Sequence, residues 1–547
     1  MSLPTRHAAP ALGIIALASS LHAATPAFPG AEGFAALSTG GRGGDVYQVT
    51  HLGTKGPGSF SEAISTVPPE GRTIVFTVSG FIPINKAHIK SPKITIAGQT
   101  APGGGIGITG SSLTISAADV IIRHVRFRHG HAGNGGDCLN PDGAADRLII
   151  DHCDIMFSRD ENISSFRAAP PTLTFQWSTN AWGLYGHSCG GLWLIDHANA
   201  HHTLWANHKT RNPKVIRPKL FDWTNNVTFG WDIGMNLAGS DVPGVYKANI
   251  RGSSFIQGSR GRNAIFVGDT KPDGPKSFHV HLDDCALDGN GIEAPDVTAE
   301  GYALIDGDHY HKVTRPFPLT ARSDPRSPRD PVVGLPVKID DRLTAYKKII
   351  SQVGPTRLDV RSELPLHDEV TALLIADVVA QKRRKISHEK ELGLGNGGLG
   401  ELVSSPAPND TDRDGMPDFW ETTLGLNPTA QDHNRPLRGR SFIPSPAGYT
   451  HLEEYLHFLA IPHGVLAPTE TITIDLRKYT SGFTKSPRFK AHSVKGGSVT
   501  YSGPGDHRVT FSPHRGFHGR AGFDFTVLDA DGSRWTQSCA LLVTKRP

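Results

Sequence analysis

Cysteine is scarce in this chain, five residues in 547. So few cannot build a dense disulfide framework, and the odd count leaves at least one thiol unpaired or shared between chains. Excess charge of one sign is also missing. Lys and Arg number 56 against 52 Asp and Glu, a net +4 on a large molecule, so nothing global argues for a nucleic-acid partner. Beyond the N-terminus no run approaches the ~20 apolar residues of a membrane span. Glycine and proline, by contrast, are abundant: 61 Gly and 40 Pro are roughly 18% of residues against an average near 12%. That density of turns excludes long helical bundles without reaching a disordered or collagenous composition. At about 150 residues per domain the length predicts three or four domains.

Residues 1–23 place Arg6 and His7 before an apolar stretch from Ala8 to Leu21, with small residues following. This reads as a secretory signal peptide, too short to span a membrane and interrupted by Pro10. The mature protein is therefore expected outside the cytoplasm, secreted or at the cell surface.

From about Ala27 to Gly291 one kind of element recurs: apolar runs of four to eight residues rich in Val, Ile, Thr and Phe, such as TIVFTVSG (73–80), KITIAGQT (93–100), DVIIRHVRF (119–127), RLIIDHCDI (147–155) and TLTFQWS (172–178). They start every 20 to 30 residues with no helical pattern between them, the mark of a solenoid. A β-sandwich would need strand spacings of 8 to 12 residues joined by two-residue turns. A parallel β-helix fits best. GPGSFSEAISTV (56–67) puts Phe60, Ala63, Ile64 and Val67 on one helical face behind Ser59 and Glu62, which resemble a capping box, and can cover an open solenoid end.

Several segments then carry a resemblance: AFPGAEGF (27–34), TGGRGGDVYQVT (39–50), TIAGQTAPG (95–103), VIIRHVRFR (120–128), IIDHCDIMFSRDE (149–161) and KTRNPKV (209–215). Together, and in this order, they resemble the secreted bacterial pectate lyases of polysaccharide lyase family one. The resemblance implies a right-handed parallel β-helix and calcium-assisted β-elimination of polygalacturonate. It also implies a site. Lys209, Arg211, Lys214, Arg217 and Lys219 crowd into KTRNPKVIRPK, where two prolines argue against a simple central strand. From charge alone, a solvated basic loop and a carboxylate-gripping face are equal readings. The Arg-x-Pro-Lys setting of Arg211, Pro213 and Lys214 matches the family's catalytic arginine and makes Arg211 the proton acceptor. That role comes from the family, since a guanidinium ordinarily keeps its proton. Lys209, Lys214 and Arg217 are then expected to bind substrate carboxylates.

For calcium, which takes six to eight oxygen ligands, Asp137, Asp160 and Glu161 match acidic positions of the family. The chain departs from it at Gly135, Gly136, Ser164 and Ser165, where further acids often stand. It departs again in GLYGHSCGGLW (183–193), which lacks the family's lysine and offers His187 nearby. Asp151–His152 and Asp196–His197 read as structural pairs at strand ends, and Cys138 with Cys153 as one candidate disulfide.

Beyond about residue 330, segments 342–354 and 368–385 show helical spacing with charged outer faces. Residues 410–421, DTDRDGMPDFWE, set Asp410, Asp412, Asp414, Met416, Asp418 and Glu421 at the spacing of an EF-hand-type calcium loop, with Met416 offering its carbonyl. The last 80 or so residues alternate in period two and resemble cadherin-like or immunoglobulin-like sandwiches. The expected organisation is mainly β: a signal peptide (1–23), a parallel β-helix (24–330), a helical extension (331–400), a calcium-binding linker (401–465) and a small β-sandwich (466–547). The expected partners are Ca2+ and an acidic plant-type polysaccharide, acted on by a monomer. A β-helix glycoside hydrolase is the alternative enzyme. It needs paired carboxylates, and Asp160 with Glu161 would face opposite ways on a strand. A calcium-stabilised, non-catalytic polysaccharide binder is the third reading.

Overall fold

The structure is a computed structural model and describes residues 25–133, 135–165, 168–238, 242–256, 264–268, 270, 274–288, 297–306, 312–314, 334–503 and 506–545. The expected signal peptide lies outside the described residues, as does most of 307–333. No helix among the described residues is long and apolar enough to cross a membrane.

The apolar runs of the N-terminal half form the strands of successive coils, 119–127 and 147–155 each supplying two strands with a corner between them, and the coils pair almost throughout in parallel to build three sheets of eleven, ten and eight strands. Register puts like on like. In the eleven-stranded sheet Ile96 lies opposite Ile122, Ile122 opposite Ile150, and Ile150 opposite Phe175. These side chains point inward, so the 20 to 30-residue spacing becomes a continuous apolar column. The corner after this sheet is turned by one residue per coil in the left-handed conformation: His124, His152, Trp177 and His202, with φ near 50°. Because every coil bends there, their rings stack along the solenoid, 4.9 Å apart for His124 and His152 and 4.5 Å for Trp177 and His202. Trp177 also stacks on Trp535 of the C-terminal domain, 5.8 Å away.

Helix α1 (Phe60–Ser65) buries Phe60, Ala63 and Ile64 against the early coils. Its cap is half a box. Ser59 accepts from the Glu62 N–H, while the Glu62 carboxylate accepts instead from the Tyr47 hydroxyl at 2.6 Å.

Helices α2 (Arg342–Gln352) and α3 (Glu369–Val379) lie against the outer side of the ten-stranded sheet, closing over Met156, Trp182, Leu204 and Phe229. Asp368 fastens α3. It caps the Val370 N–H at 3.0 Å and accepts from the guanidinium groups of Arg126 and Arg128, all three residues being buried. Replacing Asp368 with alanine takes from the buried Arg126 its carboxylate partner and leaves Arg128 with Asp154 alone, and is expected to cost about 3–5 kcal/mol. Asn, which also caps well, should cost less. Urea unfolding of both variants checks this ordering. The helical pattern expected through residue 385 stops at Val379. Gln381 turns left-handed, with φ 54°, the Lys382 N–H closes the helix end on Asp377 O at 2.7 Å, and residues 382–388 continue as a strap that bonds to the solenoid through Arg383, Arg384 and Ile386.

Helices α4 (Asp418–Leu424) and α5 (His451–Leu459) pack through Trp420, Tyr455 and Phe458 onto Ala97 of the solenoid and Leu542 of the last strand. A four-stranded and a three-stranded sheet then enclose Phe489, Phe511, Phe523 and Phe525 as a small sandwich. All five cysteines are buried free thiols. Cys138 and Cys153, offered as a pair, sit inside the solenoid core with burial holding both thiols well above the usual range.

Candidate active site and calcium module

The eight-stranded sheet presents its outer face as a shallow cleft of about 490 Å3, bordered by Lys86, Thr114, Asn140, Asp137 and Asp160. At the N-terminal edge of this sheet four successive coils bring together the residues singled out above. Asp137 precedes the strand Leu139–Pro141, Glu161 opens the strand Glu161–Ser165, and Cys189 opens Cys189–Trp193, opposite Glu161. Thr210 bridges to Cys189, with Arg211 following.

Carboxylate oxygens of Asp137, Asp160 and Glu161 lie within 4.8 Å of one another. Asp160 and Glu161 do not face apart as strand neighbours would, because Asp160 sits in the bend before the strand begins. Asn162 holds that bend: its amide donates to the carbonyls of Ile155 and Ala181, and its oxygen accepts from the Ser158 N–H. The Asp137 carboxylate accepts from the Glu161 N–H at 2.9 Å. Burial first, and then the neighbouring Asp160 charge, push the Asp137 pKa up to about 7. A buried acid held beside two other carboxylates suits a bound cation. Asp137, Asp160 and Glu161 would hold it.

Arg211 makes an ion pair with the buried Glu161. Burial lowers its pKa, opposed by the charges of Asp160 and Asp137. Its φ of 59° is left-handed, as is the φ of 49° at Ser188, at the same edge one coil earlier. The turn is held by Gly190 N–H to Thr210 O at 3.1 Å and Gly191 N–H to Arg211 O at 2.8 Å. Glycine is required at both places, since a Cβ on Gly190 would stand 2.6 Å from Arg211 O and one on Gly191 2.8 Å from Ile163 O.

Lys214 opens the three-residue strand Lys214–Ile216, which Pro213 and Pro218 bracket rather than break. It stands opposite Leu192, itself opposite Ser164, on the cleft face. Arg217 follows that strand at the next corner. Lys219 leaves the cluster for an ion pair with Asp196 at 2.7 Å. His187 reaches Asp160 at 3.1 Å, and the Lys209 ammonium lies 5.8 Å from the ring centre of Tyr185. Tyr185 and Lys86 were not singled out from sequence: a lone tyrosine or lysine carries no motif.

The second site is the acidic loop. Asp410, Asp412 and Asp414 lie within 4.8 Å of each other, and so do Asp414, Glu421 and Asp432. Glu421 is completely buried with both carboxylate oxygens unpartnered. Burial, then Asp414 and the other acids, raise its pKa to about 8. This donor set of hard oxygens fits a divalent cation of the calcium type. Two details differ from the expected loop. Asp418 turns away, accepting from the Thr411 N–H and hydroxyl at 2.8 Å and from the Asn409 amide, because it opens α4 outside the cluster. Asp432, eleven residues beyond the motif, takes a place in it. The Met416 side chain is buried beside Trp420.

Of the two acid–histidine pairs expected at strand ends, that of Asp196 has its carboxylate on Lys219. Asp151 holds Arg123, His152 and Gln176 together beneath the corner ladder.

The fold and these side chains define a parallel β-helix protein with an acid-and-guanidinium cleft along one sheet. No protein-family profile matches the sequence. Relatives described as "Probable pectate lyase C" include one from Aspergillus flavus, 34% identical over 459 residues, covering 82% of this chain and 97% of that one. Another, from Neosartorya fischeri, is 33% identical over 463 residues and covers 82% and 98%. The chain belongs to the pectate lyase family. These relatives are fungal rather than of the bacterial type that the motifs resembled. Among solved structures, a Bacillus subtilis pectate lyase variant aligns with TM-score 0.41 and 12% identity over 61% of this chain and 98% of its own. Pectate lyase C from Erwinia chrysanthemi aligns with TM-score 0.37 and 14% identity over 59% and 95%.

Proposed function

We propose that the protein is an exported, calcium-dependent lyase that cleaves polygalacturonate by β-elimination, with Arg211 as the group that takes the C5 proton. The observation that carries this reading is the Arg211 guanidinium held beside Glu161, Asp137 and Asp160 at one edge of a solvent-facing sheet, in a chain of the pectate lyase family. A uronate bound across this edge would lose its C5 proton to Arg211. The electron pair left behind forms the C4–C5 double bond, the C4–O bond breaks, and the departing oxygen takes a proton from solvent. Calcium, when bound by Asp137, Asp160 and Glu161, supplies positive charge for the substrate carboxylate as negative charge develops on it. Lys214 and Arg217 hold neighbouring carboxylates, and His187 orients Asp160. Partial burial brings Arg211 closer to the proton-accepting state.

Incubation of the purified protein with polygalacturonate, following ultraviolet absorbance of the unsaturated product, tests the reading. Absorbance should rise with calcium and stop with a chelator. Reducing ends without unsaturated product would point to a hydrolase and sink it. The pH dependence has a definite sign. Below about 7 Asp137 holds a proton that competes with calcium, so activity at low calcium should climb as pH rises through 7. Saturating calcium should move the climb to lower pH.

A further inference from the structure

We infer that the strap after α3 completes the cleft with a hexuronate-binding subsite made of Tyr185, Lys209 and Lys385; the inference rests on the function proposed above. The strap runs across three successive coils beside the catalytic edge. Arg384 O accepts from the Trp182 indole at 3.1 Å, Ile386 O accepts from the Tyr185 N–H at 2.7 Å, and the Arg384 N–H donates to the Asn207 side chain at 3.1 Å. Arg383 donates to Trp231 O at 3.1 Å. The backbone bonds at 384 and 386 fix the chain on either side of Lys385 and so set the direction of its side chain.

That direction is toward Tyr185. The ring is 50% exposed, unusual for a large aromatic here, and two ammonium groups flank it, Lys209 from the solenoid and Lys385 from the strap, each 5.8 Å from the ring centre. Arg383 and Lys385 share a single carboxylate, Asp232, at 3.0 and 2.5 Å. Counting Lys209, three cations face one acid, and the patch keeps a positive excess. Tyr185 lies two residues before His187, which touches Asp160, and Lys209 two residues before Arg211. The patch is therefore continuous with the catalytic edge.

An exposed aromatic face beside ammonium groups matches a hexuronate residue, which has an apolar C–H face on its ring and one carboxylate at its rim. A neutral sugar would use the ring but not the lysines; a small anion would use the lysines but not the ring. The subsite thus selects the acidic polymer on its own terms. It also puts a cation near the position where the family's lysine is absent from residues 183–193, supplied from a segment some 200 residues later in the chain.

Lys385→Met keeps the aliphatic stem and removes the charge; Tyr185→Ala removes the platform; Lys382→Met, on the same strap but outside the subsite, is the control. For wild type and each variant, KM and kcat on polygalacturonate are measured with calcium, beside thermal unfolding. The expected result is a KM raised about fivefold for Lys385→Met and more for Tyr185→Ala, with kcat within about twofold, because a contact away from the reacting atoms changes binding alone. The Lys385→Met effect should shrink as ionic strength rises, and Lys385→Arg should restore most of it. An unchanged KM in Lys385→Met and Tyr185→Ala, both folded, overturns the subsite while leaving the lyase reading intact. If the wild type shows no lyase activity, the reading of function fails instead, and retardation in gels containing polygalacturonate decides the subsite. Retardation lost in both variants supports it; retardation unchanged by them, or absent in the wild type, overturns it.

Discussion

Arg211→Ala is expected to lower kcat/KM on polygalacturonate by about 10^3-fold or more, the combined size of losing a proton acceptor and a charge-stabilising donor. The fall should sit in kcat, since the group acts on the reacting C5 and not on remote carboxylates. Lys214→Ala, three residues further on in the same coil, should instead raise KM several-fold and leave kcat nearly unchanged. The contrast matters because both residues carry positive charge in one cluster, and a generic electrostatic role would move both parameters alike. Arg211→Ala also leaves Glu161 buried without its partner. A modest loss of stability, about 1–3 kcal/mol, should appear in calcium-free buffer and shrink when calcium occupies the neighbouring carboxylates. Arg211→Lys keeps the charge but not the planar fork, and a lysine amine holds its proton differently, so it should not rescue kcat. An Arg211→Ala enzyme within tenfold of wild type would remove Arg211 from the chemistry and return the proton-accepting role to another group of the cleft.

The solenoid was legible because stacking coils in parallel repeats a local pattern. Ile96, Ile122 and Ile150 recur in sequence at the interval at which they touch in space. The clustering of the acidic loop was legible for the same reason: its acids are neighbours in the chain, and spacing alone brings Asp410 and Asp412 to one side of Asp414 and Glu421 to the other. What sequence left out is long-range. Asp432 joins the loop through backbone bonds from residues 432 and 433 to Asp414 Oδ2, both 3.0 Å, and no spacing rule reaches that far. Lys385 comes to Tyr185 only because α3 is fastened by Asp368 and ends at Val379, so KRRK (382–385), which looked like the charged face of a helix, becomes a strap. The prolines around Lys214–Ile216 misled in the opposite sense. A central strand need not be long where a coil contributes as few as three residues to this sheet, as Lys214–Ile216 does, and Pro213 and Pro218 fall outside those three.

Calcium removal should destabilise the protein most at high pH. In the acidic loop burial raises Glu421 to about 8 and Asp410 to about 6, and raises Asp414 as well. A carboxyl whose folded pKa exceeds its unfolded value near 4 binds more protons when folded, so between those two values stability falls as pH rises. In chelator, Tm is therefore expected to decline from about pH 5 to pH 8 as these buried acids are forced to ionise together. With calcium the same acids are ligands, ionisation is no longer opposed, and the decline should flatten. The gap between the two curves should widen with pH. At calcium a hundredfold above Kd the gain is about 2.7 kcal/mol, roughly 4 °C for a cooperative unit of about 300 residues. The effect should reach the solenoid as well as the loop. Asp410 accepts from Gln48 at 2.7 Å, and Asn434, two residues beyond Asp432, donates to Gly44 O at 2.7 Å, so the loop is pinned to the first coil. Glu421→Gln should lower the calcium-dependent gain and, by removing one buried charge, raise Tm in chelator at pH 8. A chelator effect that is equal at pH 5 and pH 8, or a Glu421→Gln protein that still gains fully from calcium, would show that the loop does not hold the ion that stabilises the fold.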